Sequence, residues 1–398
     1  MQISRHVQRV QPSATMAISA KAAALRRQGV DVVALSAGEP DFDTPRHIKD
    51  AAIRAIEEGF TKYTMPSSGI VELKEAICRK FAADNGLQYS VDEVIVNNGA
   101  KHCLFLAVMA LVNPGDEVII PAPYWVTYVE QPRLVGGEPV IVPTSPASGL
   151  KLTPEELRRA ITPRTRLLYL NTPANPSGMV YSREELAALA EVAVEHGVWV
   201  LSDEVYEKLV YDGAEHVSIA SLGPEIRART VVVNGVSKAY AMTGWRIGYA
   251  AGPAPVIAAM NKVQNHEVSH PASISQKAAV AALGGPQESI GQMRQAFDAR
   301  RRYMVARLNA LDGVSCRLPQ GAFYAYPDVS ALYGRRAGAR AIADSVSLCE
   351  YLLDEAQVAC VPGVGFGTQA HIRLSYATSM ANIERAMDRI EAAVGRLR

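Results

Sequence analysis

No apolar run in these 398 residues approaches the ~18 consecutive positions that a bilayer-spanning helix needs, so the sequence excludes a helical membrane protein. It also carries almost no net charge. Lys and Arg total 41 against 40 Asp and Glu, a formal charge of +1, which gives no reason to expect a nucleic acid or another polyanion as partner. Cysteine is scarce. The five present (Cys78, Cys103, Cys316, Cys349 and Cys360) are odd in number, scattered, and contain no C-x-x-C pair. That pattern argues against a disulfide frame or a zinc site, and predicts buried thiols in a reducing cytoplasm with no resident metal. Internal repeats and low-complexity linkers are missing too. The first thirty residues have no Asp or Glu but include Arg5, Arg9, Lys21, Arg26 and Arg27, which is similar to an organellar transit peptide. They lack a secretory apolar core, and they run into "GVDVVALSAGEPDF" without a shift in composition. The expectation is a folded N-terminal helix and a cytoplasmic protein.

What is present describes an ordinary globular enzyme. The hydrophobic fraction is 48% and the charged fraction 20%, with enough chain for two domains or for one large α/β domain and a smaller appendage. Between residues 93 and 250 short β-branched runs ("EVIVN", "DEVIIP", "RLLYLN", "VWVLSD", "TVVVNG", "RIGYAAG") alternate with helical patterns such as "REELAALAEVAVEHG". That alternation predicts a doubly wound, mainly parallel sheet with ligands at the carboxyl ends of its strands. Beyond about residue 285 the texture changes. A long charged helix, "ESIGQMRQAFDARRRYMVARLNAL", leads to short strands "GVSCRL", "AFYAYP", "VACVP" and "HIRLSY" and two further helices. The expected division is an N-terminal segment (1–45) packing with the small domain, a large α/β domain (46–285) and a small α+β domain (286–398).

Several residues stand where such a sheet presents chemistry. In "NGVSKAYAMTGWRIGY", Lys238 follows a predicted strand among small and apolar neighbours, with Arg246 eight positions on. An exposed lysine is neutral in only about one molecule in a thousand at neutral pH. Apolar surroundings and a nearby cation both disfavour the ammonium form, and a neutral amine attacks aldehydes to give a Schiff base. A lone lysine of this kind is more often a simple turn residue. Asp203, in "VWVLSDEVY", ends an apolar strand, where a carboxylate needs a cation, strong donors or a helix to cap. Tyr206 follows three residues later, and alone reads as core or surface. Asn175, in "LNTPANPSG", belongs to a rigid turn and can offer amide donors. "NNGAKH" precedes an apolar helix, so the backbone N–H groups of Gly99, Ala100 and Lys101 would favour a phosphate there. Arg373 lies mid-strand between Ile372 and Leu374; its planar group suits either a substrate carboxylate or an internal ion pair.

Together these motifs resemble the fold-type-I aminotransferases that use pyridoxal 5′-phosphate, and in particular the class I aspartate aminotransferases of the bacterial branch. The resemblance covers nearly the whole chain. It rests on "PSAT", "SAGEPDFDTP", "KYTMPSSG", "NPGDEVIIPAPYWVTY", "NTPANPSG", "VLSDEVYEKLVYDG", "NGVSKAYAMTGWRIGYA", "GAFYAYPD" and "HIRLSYATS", in the family's order. It implies that Lys238 holds the cofactor covalently and shuttles a proton, while Asp203 keeps the pyridine nitrogen protonated. Tyr206 and Asn175 would bond the phenolic oxygen. Gly99, Ala100, Lys101, Ser237 and Arg246 would surround the phosphate, with Tyr63 reaching it from a partner subunit, so a homodimer is implied. Trp125 would stack on the ring. Arg373 would clamp the substrate α-carboxylate, assisted by Gly38 and Asn175.

The phosphate turn departs from the family pattern. It reads Gly-Ala-Lys where many relatives offer hydroxyls, which shifts the task toward backbone amides, Ser237 and Arg246. In the bacterial branch the lysine of that turn is associated with the distal carboxylate of acidic substrates, so Lys101 favours aspartate and glutamate, although a lysine is a loose point charge. The implied activity is transamination between an acidic amino acid and a 2-oxo acid by a ping-pong route. Alternatives are an aromatic or prephenate aminotransferase, a cofactor-dependent lyase or oxidase, and a cofactor-sensing regulator. The last would need a DNA-binding module, for which the first dozen residues leave no room.

Overall fold

The computed structural model describes residues 3–11 and 14–398. Pro12 and Ser13 of the "PSAT" stretch lie outside the described residues. The expected N-terminal helix spans Ala14–Arg27, preceded by a short turn of helix at Arg5–Gln8.

The six β-branched runs of the first 250 residues, with an edge strand at Glu138–Pro143 that the sequence pattern does not mark, form one seven-stranded sheet. Its strands are β1 (Val94–Asn97), β2 (Glu117–Ala122), β3 (Glu138–Pro143), β4 (Thr165–Asn171), β5 (Trp199–Asp203), β6 (Thr230–Gly235) and β7 (Gly248–Ala251). Their order across the sheet is β1-β7-β6-β5-β4-β2-β3. The five strands β2 to β6 run parallel, and β7 is antiparallel to both β6 and β1. Except along the partly exposed edge strand β3, both faces are covered, which explains why the strands are apolar without alternation. In β4, Leu167 and Tyr169 pack into the layer containing the Ala100–Leu111 helix. Leu168 and Leu170 pack on the opposite face against the Arg183–Glu195 helix. A third layer buries β1, β6 and β7 residues against helices Arg46–Glu57, Val71–Asn85 and Ser273–Gly284.

The C-terminal third builds its core from helices Glu288–Asn309, Ser345–Ala356 and Met380–Val394, and the same cluster takes in Val33 and Leu35 from the N-terminal segment. A three-stranded antiparallel sheet crosses it, with Ile372–Ser375 between Val361–Pro362 and Tyr324–Ala325. Val33–Ala34 pairs in parallel with Val358–Ala359, tying the start of the chain to this layer.

Two expected strands come out differently. "GVSCRL" is irregular apart from one bridge between Ser315 and Asp328. The side chain of Asn309 occupies both backbone groups of Cys316, accepting from its N–H at 2.7 Å and donating to its carbonyl at 2.9 Å, so a ladder cannot form there. "VACVP" splits at Cys360 into two short strands that pair with different partners. All five cysteines are free thiols; Cys78 is half-buried and the others are buried.

Candidate active site

Three neighbouring parallel strands end at one edge of the sheet. Register pairs Asn171 of β4 with Asp203 of β5, and Asp203 with Val233 of β6. The loops leaving those ends therefore converge, and they deliver Asn175, Tyr206 and Lys238 into one cleft of about 1180 Å³. Because β7 returns antiparallel from Gly248, the loop carrying Lys238 also brings Arg246 back to this edge. Gly38, Ala100, Lys101, Trp125, Asp203, Ser237 and Arg373 line the same cleft. Of the site residues expected from sequence, Gly99 and Tyr63 do not.

Lys238 is half-buried, and its Nζ donates to the carbonyl of Gly38. The amine lies 5.8 Å from the ring centroids of both Tyr206 and Phe323. Burial pushes its pKa down to about 8, with Arg373 and Arg246 acting in the same direction and Glu39 and Asp203 opposing. The apolar setting is thus the main cause, and Arg373 weighs more than the Arg246 that its sequence position suggested.

Asp203 is buried at the end of β5. It caps no helix, because residues 205–208 form a turn. Its Oδ2 accepts from the Tyr128 hydroxyl at 2.7 Å, and the Val205 N–H approaches Oδ1 at 3.3 Å. Burial raises its pKa to about 6 in spite of those donors. The Tyr206 hydroxyl bonds that of Tyr324 at 2.9 Å.

At the next strand-to-helix turn the expectation needs a correction. Gly99 does not offer its N–H to the cleft, since that group donates to the Asn97 carbonyl at 2.7 Å. Gly99 contributes space instead. It has φ +85°, and a Cβ there would strike the Arg246 guanidinium. Ala100 and Lys101 then open the helix with the unclaimed N–H groups of its first turn. Arg246 adopts a left-handed φ of 58° and donates to the carbonyls of Thr243 (2.9 Å) and Asn98 (3.3 Å). Lys101 Nζ lies 4.8 Å from the Trp125 ring centroid, and burial followed by repulsion from Arg246 lowers its pKa. Tyr63 is 87% exposed and meets His270 in an edge-to-face pair, at 5.6 Å between ring centroids.

Arg373 is buried in the lining of the cleft. Its Nη1 donates to Asn175 Oδ1 at 2.9 Å and its Nη2 to the Ser36 carbonyl at 3.0 Å. Among the described residues no carboxylate forms an ion pair with it, and its buried Nε has no partner. The internal ion pair that the sequence left open is therefore not formed here. The guanidinium stacks over Tyr324 and Phe366, at 4.3 and 4.9 Å from their centroids. A buried cation without an anion is a receptor for one.

Tyr128 and Tyr324 stand in the motifs "NPGDEVIIPAPYWVTY" and "GAFYAYPD", where nothing in the sequence alone marks either for the site. Tyr128, in the Thr127–Val135 helix, lies three residues beyond Trp125, and Tyr324 is in a strand beside that of Arg373, so the tertiary pairing carries the signal. Asn171 was also missed. It ends β4, donates to the Asp203 carbonyl at 2.9 Å and accepts from the Asn175 N–H at 2.7 Å, which orients the turn.

With this geometry in place, comparison with known proteins is direct. The sequence profile of the aminotransferase class I and II family matches residues 30–390. An aspartate aminotransferase of Geobacillus stearothermophilus is 53% identical over 390 residues, 98% of each chain. An aspartate/prephenate aminotransferase of Cereibacter sphaeroides (strain ATCC 17029 / ATH 2.4.9) is 50% identical over 392 residues, again 98% of each. The crystal structure of the aspartate aminotransferase from Rhizobium meliloti superposes with a TM-score of 0.97 at 48% identity, covering 100% of both chains.

Proposed function

Since the chain belongs to the class I and II aminotransferases, we propose that it moves an amino group between aspartate or glutamate and a 2-oxo acid in two half-reactions, with pyridoxal 5′-phosphate as carrier. One observation carries the reading. A weakly basic amine, a buried carboxylate and a guanidinium without an acidic partner share a single cleft.

The donor set fits that cofactor. Asp203 is an anion able to face a ring nitrogen, because Tyr128 holds Oδ2 and only a long contact reaches Oδ1. The first N–H groups of the Ala100–Leu111 helix, Ser237 and Arg246 form a cationic pocket suited to a phosphate. The Trp125 ring forms a wall of the cleft, and Tyr206 and the amide of Asn175 provide donors for a phenolic oxygen. When bound, the cofactor supplies an aldehyde for the Lys238 amine and an electron-withdrawing ring for the electron pair released at the substrate Cα.

The chain's own residues do the rest. Arg373 pairs with the α-carboxylate while Asn175 and the Ser36 carbonyl keep its plane fixed. Lys238, whose lowered pKa of about 8 leaves a substantial neutral fraction near that pH, takes the Cα proton at Nζ and holds it for redelivery. Lys101, which lines the cleft beside Trp125, provides a cation for a distal carboxylate. We assign Tyr63 to the phosphate of the partner subunit in a cytoplasmic homodimer, which suits its exposure and its absence from the lining of its own cleft. The same reading divides the chain near residues 45 and 285, and Val33 and Leu35 in the C-terminal core support it.

A second reading, amination of prephenate or another aromatic oxo acid, draws on the relative that has both activities and on the Phe105, Tyr124 and Trp125 side chains lining the cleft. The test supplies single amino acids to cofactor-loaded protein and follows the visible spectrum together with the 2-oxo acid formed. Aspartate or glutamate should react fastest, and turnover should need an added 2-oxo acid. Product without an acceptor would point to a lyase or oxidase, and faster reaction with prephenate than with oxaloacetate would favour the second reading.

A further inference from the structure

We propose that Tyr128 is the positioning residue of Asp203: its hydroxyl engages Oδ2, fixes the carboxylate's rotation and reserves Oδ1 for the ring nitrogen of the cofactor. This rests on the function proposed above. An ionised carboxylate only accepts hydrogen bonds, so the Tyr128 hydroxyl, 2.7 Å away, must be the donor. The ring that carries it cannot swing. Tyr128 is buried, stacked on Tyr169 with centroids 4.5 Å apart and planes at 21°, and met edge-on by Trp125 at 5.6 Å.

The support continues outward from there. The Tyr169 hydroxyl donates to Gln131 Oε1 at 2.7 Å, and Gln131 Nε2 donates to the Lys101 carbonyl at 3.0 Å. One side of the cleft thus joins the carboxylate at the end of β5 to the first turn of the Ala100–Leu111 helix. The two ends of a single bound ring, its nitrogen and its phosphate, would be held by one connected wall. The Tyr128 donor also offsets part of the burial that disfavours the Asp203 anion. Without it the carboxylate would both rotate and take up a proton more readily.

The test compares wild-type holoenzyme with Tyr128→Phe and Tyr169→Phe, with thermal melting as a check that each variant folds. Tyr169→Phe keeps the stacked ring and does not touch Asp203. Two quantities are read: the dissociation constant of pyridoxal phosphate from the protein, and the acid limb of the pH profile of kcat. In Tyr128→Phe the constant should rise about tenfold and the acid limb should move up by about one pH unit, as expected for one lost charge-assisted bond, with little change in KM. Tyr169→Phe, which loses only the indirect link through Gln131, should leave the acid limb unmoved and raise the constant by no more than about threefold. Equal shifts in the two variants would make Tyr128 a packing residue and overturn the inference, as would a Tyr128→Phe protein that matches wild type. Wild-type protein that takes up no pyridoxal phosphate would instead overturn the proposed function, and this inference with it.

Discussion

At the scale of single residues, position 238 shows how surroundings alter a side chain. Stripped of water and facing Arg373 and Arg246, the Lys238 amine loses its proton near pH 8 rather than 10.5. In cofactor-free protein its rate of reaction with an amine-directed probe should therefore climb with pH, reach its midpoint at about 8 and level off above. Peptide-resolved labelling would show this, and a rise continuing toward 10.5 would mean a solvated lysine. Lys101 is tested by substrate choice. Removing a cation that serves a distal carboxylate should weaken aspartate by ~10- to 100-fold in kcat/KM and leave an apolar amino acid within a few-fold. Steady-state kinetics of Lys101→Ala decide it, because equal losses for both substrates would make Lys101 a phosphate or structural residue.

At the scale of elements, the turn before the Ala100–Leu111 helix is governed by what glycine lacks. A Gly99→Ala change forces a side chain into φ +85° and into the Arg246 guanidinium. The strain should cost about 1–3 kcal/mol of stability, seen as a lower Tm, and cofactor should bind more weakly because Arg246 is displaced. The strands that lead to the site were legible in the sequence. Their runs are long, unalternating and bounded by turn residues, since both sheet faces are buried. The irregular run at Cys316 was not legible, because a side chain seven residues earlier and in no periodic pattern, Asn309, takes over its backbone groups. The same holds inside the site. Arg373 and Asp203 declare themselves as charges in apolar strands, whereas Tyr128 and Tyr324 are ordinary aromatics until folding brings them to a carboxylate and a phenol. The turn glycine was recognised for the wrong donor: its N–H closes the turn, and its missing Cβ makes room for the arginine.

For the whole molecule, the outer surface gives the prediction. Tyr63 and Met65 are 87% and 83% exposed on a chain whose cleft gathers every other proposed phosphate ligand except Gly99. A second copy covering this region would bury both and complete the site. Sedimentation of the holoenzyme should give a dimer, and Tyr63→Ala should weaken cofactor retention without disturbing the fold of the protomer. A fully active monomer would remove Tyr63 from the site.

The most direct test is chemical. Reduction of the cofactor-loaded protein with borohydride, followed by digestion and mass mapping, should place one pyridoxyl phosphate group on the peptide containing Lys238 and none elsewhere. A label on a different lysine, or no label at all, would contradict the account.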